Sequence, residues 1–600
     1  MLRNRVVWFP ALVVISTGAL FLSAQQPNTQ ITPVIRVTTR LVMVDVIAVD
    51  KSGKPVSDLK PEDFLLEESG KKQKISIFGV QRPAVGPVAS PVLPPNIYSN
   101  RSEAQLAPGA ITILLVDGLN SPFQNQAFVR QKLIEYVKAQ HQPGQRMAVL
   151  ALGRGLFRLQ GFTSDPGLLR AALESWRPES ARETSTTPAE VRVTSAPPEP
   201  IGLRGATGAA RLQAVTSVLN QFMLEQALAA YEVRVGVTLE SLRAIGRMVG
   251  GMPGRKNLVW VSAAFPFTLT PEDAAVTYTP TRADDPTAPP PLPEENTQGA
   301  YLQQIRQGRV DEIRRTAALL ADAQVAIYPV DARGLIGAQQ LADASRSGLN
   351  AAGLLQMGHE YGTQVQNVGA SITENQGVMN DLAQQTGGRA YYNRNDIDSA
   401  VALASTDGGT YYNLGYYPDK KKFDGSFRKI KVSVSRPGVE LRHRRGFYAI
   451  DPTKIDAKQR DAEMNALMLR GSGDATLVTF DALVVPPAAP AAQAKVTVQF
   501  LVPATSFSAE DAGNGGRHIN LDFFVAAVTP DGKVAANTGQ TVDTTLTAEQ
   551  FAQVQQLGLL LPIEATVPAG EYELRLAVRD NRTGYFGTLS APLTLRRPGP

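Results

Sequence analysis

Hydrophobic and polar positions alternate near the start of the chain, a pattern typical of strands with one buried face. In this region Val42, Val44 and Val46 fall on one face at a spacing of two. The alternation predicts a small β domain over residues 31–82. Residues 83–108 are rich in Pro, Ala and Ser and show little periodicity, so we expect a linker there.

The pattern changes near residue 111 to apolar runs separated by segments with helical spacing. The runs ITILLVD, MAVLALG, LVWVSAAF and VAIYPVD are continuous, as in parallel strands that are buried on both faces. Alternation of such strands with helices predicts a doubly wound, Rossmann-like α/β domain over residues 109–450 that ends in a β-hairpin. Polar stretches rich in Pro or Gly predict insertions within this domain at residues 178–205, 268–298 and 336–377.

From Ala475 onward the chain returns to short alternating strands, with turns such as PDGK and PAGE between them. This pattern predicts an antiparallel, Ig-like β-sandwich over residues 473–598. We expect residues 451–472 to form a helix that links the sandwich to the α/β domain. The predicted fold class is therefore multidomain, with a central α/β domain between a small N-terminal β domain and a C-terminal sandwich.

The first residues of the chain predict export. Arg3 and Arg5 precede an uncharged run from Val6 to Ala24, so residues 1–24 are typical of a signal peptide that is cleaved near Ala24. The alternative is an uncleaved anchor, because the run just reaches the length that crosses a membrane. We expect the protein in the periplasm, in the cell envelope or outside the cell, with membrane contact only through such an anchor.

Composition narrows the possible functions. The chain has no cysteine, which excludes disulfides, a thiolate nucleophile and a cysteine-linked lipid. Its net charge is only +5 over 600 residues and its basic residues are spread along the chain, so we expect no nucleic-acid partner. One basic cluster, formed by Arg442, His443, Arg444 and Arg445, is typical of a solvated strand end.

The run ITILLVDGLNSP, residues 111–122, leads a strand directly into an acidic turn that carries a hydroxyl group. It resembles the metal-binding turn of von Willebrand factor A (VWA) domains. Together with six further segments, it resembles the VWFA-related domain family abundant in acidobacteria over about residues 35–450. That resemblance implies an exported bacterial protein with a VWA-like α/β domain and accessory β domains. The six segments are SDLKPEDFLLEESGKKQKI, PGRKNLVWVS, VAIYPVDARGL, LAQQTGGRAYYNRNDIDSAV, YYNLGYYP and VELRHRRGFYA.

The resemblance also implies a set of candidate metal ligands. In VWA domains the turn has the pattern D-x-S-x-S and supplies one carboxylate and two hydroxyl groups to a Mg²⁺ ion. Asp117 and Ser121 match this pattern, whereas Leu119 stands where the other hydroxyl is expected. Asn120 adds an amide oxygen at a position where the family has no ligand. The candidate site therefore consists of Asp117, Asn120 and Ser121.

Two further loops complete the metal site of the family. The second loop supplies a Thr, for which Thr163 and Thr238 are the candidates in this chain. The third places an Asp after the strand LVWVS, where this chain has Ala263 and Ala264. The one remaining carboxylate, Asp117, offsets half of the charge of a divalent cation, so we expect a degenerate site and no resident cofactor. Weak binding of Mg²⁺ or Ca²⁺ and a turn-forming role of Asp117 are the alternatives.

Three other segments could suggest sites, but each is better explained as a turn. Asp331 ends the apolar run VAIYPVD and is expected to form a turn. Residues 386–392, TGGRAYY, are typical of a helix end that leads into a strand. Residues 254–256, GRK, are expected to form a turn that enters a strand.

The chain lacks the motifs of the common enzyme classes. Its four histidines are scattered, and no zinc motif, nucleophile elbow, phosphate-binding loop or dinucleotide fingerprint is present. We therefore expect a non-enzymatic, exported protein-binding or scaffolding module whose partner is a protein of unknown identity, contacted by the loops at the carboxyl ends of the parallel strands. The alternatives are a cation-dependent adhesion protein with a partial site at Asp117, and a hydrolase whose site lies in the insertions.

Overall fold

The structure of the protein is a computed structural model, and its described parts contain five β-sheets and seven α-helices. The described residues are 41–82, 93–101, 111–142, 144–178, 206–267, 309–334, 373, 375–419, 423–451, 464, 468, 474–513 and 515–597.

Several predicted features fall wholly or mostly elsewhere. The predicted signal peptide at residues 1–24 and the insertion at 268–298 lie outside the described residues, as do nearly all of the stretches 178–205, 336–377 and 451–472. Among the residues described, no helix combines the length and the apolar character that a membrane span requires.

The strands are, in chain order, β1 (Val42–Asp50), β2 (Phe64–Glu68), β3 (Lys71–Gln73), β4 (Ile75–Gln81), β5 (Ile97–Ser99), β6 (Ile111–Asp117), β7 (Met147–Leu152), β8 (Leu156–Thr163), β9 (Lys256–Ser262), β10 (Val325–Asp331), β11 (Tyr411–Tyr416), β12 (Phe427–Val434), β13 (Val439–Arg442), β14 (Gly446–Tyr448), β15 (Asp481–Val485), β16 (Gln493–Val502), β17 (Glu510–Gly513), β18 (Gly516–Val528), β19 (Val534–Leu546), β20 (Leu559–Pro568), β21 (Gly570–Asp580) and β22 (Tyr585–Leu595). The helices are α1 (Phe123–Ala139), α2 (Pro166–Ser175), α3 (Ala206–Val249), α4 (Val310–Asp322), α5 (residues 375–386), α6 (Ile397–Thr406) and α7 (Ala548–Leu557).

The central sheet has five strands in the order β10–β9–β6–β7–β8. Four of them pair in parallel, and the edge strand β8 runs antiparallel to β7. Ile113 and Leu115 of β6 face helices α3, α4 and α5, whereas Leu114 and Val116 face helices α1, α2 and α6. Because helices cover both faces, every residue of the parallel strands is buried, which explains their continuous apolar sequences.

A second unit, the flanking sandwich, is built from strands that precede the central region in the sequence and strands that follow it. Its two antiparallel sheets have the orders β13–β1–β11–β4 and β14–β12–β2–β3. The alternating residues Val42, Val44 and Val46 of β1 point into its core, where Leu414 of β11 also lies. The segment that the sequence presents as a small N-terminal β domain therefore shares its sheets with strands from residues 411–448.

The C-terminal region is a β-sandwich, as its alternating strands predict. One sheet has the order β20–β16–β15–β5, and the other contains β17, β18, β21 and β22, with β19 also paired to β18. The apolar residues of both sheets meet in one core that includes Phe480, Phe500 and Phe523. Strand β5 comes from the stretch 83–108 that was expected to be only a linker, and its residue Ile97 pairs with Leu483.

The predicted fold class, a chain centred on a doubly wound VWA-like α/β domain, is wrong. Strands account for 42% and helices for 27% of the structure, so the protein is mostly β-sheet. Of the described strands, only β6, β7, β9 and β10 pair in parallel, and the other sheets are antiparallel. An apolar run indicates that a strand is buried, but it indicates neither the direction nor the partner of that strand. The prediction from sequence therefore overestimated the share of the chain that forms α/β structure.

Candidate functional site

The acidic turn lies at the carboxyl edge of the central sheet, where parallel strands end side by side. Asp117 is the last residue of β6, and its neighbour β9 ends at Ser262. Asp117 and Trp260 lie on the sheet face that α3 covers, because alternate residues of a strand share a face. Asp117, Asn120, Ser121 and Ser262 are all buried, so the turn is shielded from solvent.

The Asp117 carboxylate is surrounded by protein hydrogen-bond donors. Its Oδ1 atom accepts a hydrogen bond from the backbone N–H of Asn120 at 2.8 Å. Its Oδ2 atom lies 2.9 Å from Asn120 Nδ2, 2.9 Å from Trp260 Nε1 and 2.8 Å from the hydroxyl of Ser262. Every donor is electrically neutral, so hydrogen bonds and not an opposite charge satisfy this carboxyl group.

The remaining candidate ligands are bound to protein atoms as well. The Ser121 hydroxyl accepts a hydrogen bond from the backbone N–H of Ala263 at 2.9 Å. Asn120 Nδ2 also lies 3.2 Å from the Thr238 hydroxyl, which donates to the carbonyl of Arg234. Thr238 therefore lies at the turn, and Ala263 contributes its backbone N–H group as a hydrogen-bond donor there.

The other Thr candidate, Thr163, lies elsewhere. It ends β8 and pairs with Met147, the first residue of β7, which places it at the opposite edge of the central sheet from Asp117. Its hydroxyl accepts from the backbone N–H of Asp165, which caps helix α2. Leu119, which replaces a hydroxyl of the VWA pattern, is buried in the apolar core beside Trp260.

Burial raises the pKa of Asp117, and the hydrogen bonds from Asn120, Ser262 and Trp260 oppose that shift. The two N–H donors that converge on Oδ2 stabilise the ionised form, whereas the contact with Ser262 can also accommodate a proton. The Ser262 hydroxyl has one proton, yet it lies 2.8 Å from Asp117 Oδ2 and 2.7 Å from the carbonyl oxygen of Ala264. When Asp117 is protonated, it donates to Ser262, Ser262 donates to Ala264, and each contact has a donor and an acceptor.

This donor set does not suit a divalent cation. Mg²⁺ and Ca²⁺ require oxygen lone pairs directed at the ion, whereas N–H groups of Asn120 and Trp260 converge on the Asp117 carboxylate. Within the described part of the chain, no three His, Cys, Asp or Glu side chains come close enough to hold a metal ion. The turn can instead tie the ends of β6 and β9 to helix α3.

The sequence could not identify the partners of Asp117. Trp260 appears in the run LVWVS as one more apolar residue, and only its position opposite the end of β6 makes its indole N–H a donor to the carboxylate. The period of two offers one usable signal, because it places Trp260 and Ser262 on the same face of β9.

The three segments interpreted as turns have structural roles. Asp331 accepts hydrogen bonds from the guanidinium of Arg333, two residues later, at 2.7 Å and 2.9 Å. Gly387 ends the helical segment with a φ of +80°, and Gly388 passes so close to Ile327 that an added Cβ would lie 2.0 Å from its carbonyl oxygen. Arg255 of the GRK segment is buried.

The basic cluster at residues 442–445 is not simply a solvated strand end. Arg442 binds both carboxylate oxygens of Asp407, at 2.6 Å and 2.5 Å. Arg444 is buried and donates to the carbonyl of Met43 at 2.7 Å. These arginines therefore connect the flanking sandwich internally and to the end of α6.

Three exposed aromatic side chains lie on elements that adjoin the carboxyl edge of the sheet, the edge of the Asp117 turn. Phe123 begins helix α1 immediately after this turn and is 53% exposed, and Phe128 on the next helical turn is 37% exposed. Phe157, on β8 opposite Ala151 near the end of β7, is 54% exposed. We call Phe123, Phe128 and Phe157 the carboxyl-edge surface.

No family model matches the chain, and no curated protein matches it. Among solved structures it is similar to the three N-terminal domains of the type V pili tip protein Mfa5 from Porphyromonas gingivalis, at 9% identity over 87% of this chain and 77% of that chain, with a TM-score of 0.18. It is also similar to a beta-glucuronidase from glycoside hydrolase family 2, at 12% identity over 19% of this chain and 11% of that chain, with a TM-score of 0.13. The chain thus spans about a tenth of the glucuronidase, and at these TM-scores neither similarity bears on function.

Proposed function

We propose that this chain is an exported, non-enzymatic protein-binding or scaffolding module that contacts a protein partner through the carboxyl-edge surface. The observation that carries the proposal is the exposure of Phe123, Phe128 and Phe157 on elements next to the carboxyl ends of the fully buried parallel strands. Aromatic side chains are enriched in the buried centres of protein interfaces, where they supply large contact areas. The first 24 residues support export, because Arg3 and Arg5 precede an uncharged run that ends at Ala24, as in a signal peptide.

The Asp117 turn supports a binding mode without a cation. Its polar atoms are already bound to protein donors, so the turn has few free oxygen ligands for an ion that would bridge to a partner's carboxylate. The turn serves instead to hold the beginning of α1, and hence Phe123, in a fixed position. Binding is therefore expected to depend on the aromatic side chains and not on Mg²⁺ or Ca²⁺.

A pull-down from cell-envelope extract of the source bacterium tests the proposal. The bait is the full chain, used with and without a chelator, beside a Phe123→Ser/Phe157→Ser double variant. We expect the full chain to capture specific proteins equally with and without chelator. The double variant is expected to capture about tenfold less of these proteins, since loss of interface anchors typically has effects of this size.

The matched control is Leu557→Ser, which removes a side chain that is 75% exposed on helix α7 of the C-terminal sandwich. Circular dichroism establishes that all variants are folded. Equal capture by the double variant and the control would overturn the role of the carboxyl-edge surface. Capture that disappears with chelator and with Asp117→Ala would instead establish cation-dependent adhesion.

A further inference from the structure

A cleft of about 350 Å³ lies between the central sheet and the C-terminal sandwich. The sheet contributes residues of β7 and β8, α3 contributes its last turn and the residues after it, and the sandwich side contributes residues 99–101 and 474–476. Pockets for small molecules in proteins commonly occur at such junctions and measure roughly 300 to 1,000 Å³. The cleft is therefore large enough for a small ligand.

The packing of the helices explains why the cleft exists. On the face that α3, α4 and α5 cover, the parallel strands are fully buried, whereas the edge strand β8 is only partly covered. The sandwich docks beside this gap through Thr476, whose N–H donates to the carbonyl of Arg247 and whose hydroxyl donates to that of Met248. Gly250 and Gly251 allow this approach, because an added Cβ on Gly251 would lie 1.7 Å from the Thr476 carbonyl oxygen.

The cleft has an apolar floor. Leu150 of β7 and Phe162 of β8 line it from the sheet, and Met248 and Met252 line it from α3 and the turn that follows. Methionine side chains are flexible and polarizable, so they adapt to aliphatic chains of different shape. This floor suits an unbranched hydrocarbon segment better than a rigid polar molecule.

The rim of the cleft carries two arginines, Arg101 and Arg158, and one carboxyl group, that of Asp474. Arg158 is exposed and attracts the Asp474 carboxylate electrostatically. It makes no hydrogen bond or ion pair to any described residue. The Asp474 carboxylate itself is paired with the buried guanidinium of Arg575 at 3.1 Å. Arg101, also on the rim, is paired with Asp481 at 3.2 Å. Arg158 is therefore the rim cation that remains available to an anionic ligand.

We propose that this cleft binds an aliphatic carboxylic acid in its ionised form, with the carboxylate on Arg158 and the hydrocarbon chain along Leu150, Phe162 and the two methionines. A guanidinium binds a carboxylate through two parallel hydrogen bonds, which fixes the orientation of the acid. Burial of each methylene group of the chain raises affinity about fourfold, so affinity rises with chain length until the floor is covered. This site is independent of the carboxyl-edge surface.

Gly161 provides a direct way to close the cleft. It lines the cleft from β8, its φ lies outside the left-handed region, and an added Cβ would meet no atom within 4 Å. A leucine at this position is therefore expected to occupy the space of the ligand without disturbing the strand. Gly79 on β4 has the same open surroundings but lies in the flanking sandwich, which makes Gly79→Leu the matched control.

Isothermal titration calorimetry of the full chain with octanoate, and in parallel with octanol, tests the proposal. We expect saturable octanoate binding that Gly161→Leu abolishes and Gly79→Leu leaves unchanged. Arg158→Gln is expected to weaken octanoate binding by about tenfold or more, the effect of losing a charge-assisted hydrogen bond, and to leave the weaker octanol binding unchanged.

Three results would overturn the proposal: no octanoate binding to the unmodified chain, unaltered binding to folded Gly161→Leu, or equal affinity for octanol and octanoate. Arg158 is exposed, so its substitution tests the anion contact even if Gly161→Leu does not fold.

Discussion

The two edges of the central sheet each bury a polar network, but the networks have opposite chemistry. At the carboxyl edge, Asp117 is surrounded by neutral donors from Asn120, Trp260 and Ser262. At the amino edge and on the adjoining face, Asp407 binds Arg442 and the hydroxyl of Tyr328, which in turn accepts from the guanidinium of Arg255. The first network can exist without a net charge, whereas the second depends on opposite charges.

The neutral and the charged network also differ in the parts of the protein that they connect. The Asp117 network closes a turn within one unit, between β6, β9 and α3. The Asp407 network joins two units, because Arg442 belongs to β13 of the flanking sandwich and Asp407 follows α6 of the central region. In such a partly buried ion pair, removal of one partner leaves the other charge uncompensated.

The largest effect is expected when the charged network is broken. Asp407→Asn retains the shape of the side chain but removes the charge that compensates Arg442 and Arg255. We expect the free energy of unfolding to fall by about 3 kcal/mol, the lower end for disruption of a buried pair, because Asp407 and Arg442 are 15% and 28% exposed. Urea denaturation at neutral pH measures this.

The control for that experiment is Asp58→Asn. Asp58 pairs with Arg436 at the surface, where the two side chains are 73% and 39% exposed, and solvent screening leaves such pairs with little effect on stability. If Asp407→Asn costs no more than this control, the charged network does not hold the two units together.

A smaller effect is expected in the neutral network, and it should depend on the replacement. Asp117→Ala leaves buried donors of Asn120 and Trp260 without an acceptor, at a cost of about 2 kcal/mol. Asp117→Asn is expected to cost less, about 1 kcal/mol at neutral pH. Its amide oxygen can keep the contacts with Asn120 Nδ2, Trp260 and Ser262, but its NH2 group then faces the backbone N–H of Asn120, which loses its acceptor. Denaturation curves of both variants give the comparison.

The pH dependence of the same variants provides the control. The pKa of Asp117 is raised above 3.8 in the folded protein, so the unfolded chain releases this proton first and stability falls as pH rises from about 4 toward the folded pKa. Asp117→Asn is expected to lose this component. A variant that keeps the full dependence would show that Asp117 is ionised throughout.

The last effect is small over any one pH unit and concerns Lys256, which begins β9 at the amino edge. Burial lowers the pKa of Lys256 from 10.5 to about 7. Between these values the unfolded chain binds more protons than the folded one, so stability is expected to rise with pH by about 1 kcal/mol per pH unit. Urea midpoints measured from neutral to alkaline pH follow this rise, and Lys256→Met should flatten it. A slope that survives in Lys256→Met would assign the rise to another group.

The sequence predicted the local elements better than their partners. The apolar runs coincide with β6, β9 and β10, because burial on both faces excludes polar residues from a strand. The pairing of Val44 with Leu414 could not be predicted, since alternation shows which face of β1 is buried and not which strand lies beside it. This limitation led to the overstated α/β domain.

The candidate site was predictable only in part. The sequence placed Asp117, Asn120 and Ser121 in one turn, and the structure has them there. It could not reveal that the donor N–H groups come from Trp260 and Ala263, whose residue types suggest only packing. Contact between residues distant in sequence decides whether a carboxyl group binds a cation or accepts hydrogen bonds from the protein.

The interleaved strands of the flanking sandwich have a consequence for biosynthesis. Strand β1 lies between β11 and β13, so it cannot acquire its first neighbour until the ribosome has translated the chain beyond Tyr416, or its second until it has passed Arg442. Synthesis at about 5 to 20 residues per second leaves its edges unpaired for tens of seconds. During that interval the unpaired edges of β1 are open to pairing with strands of other chains, and translation of β11 and β13 closes them.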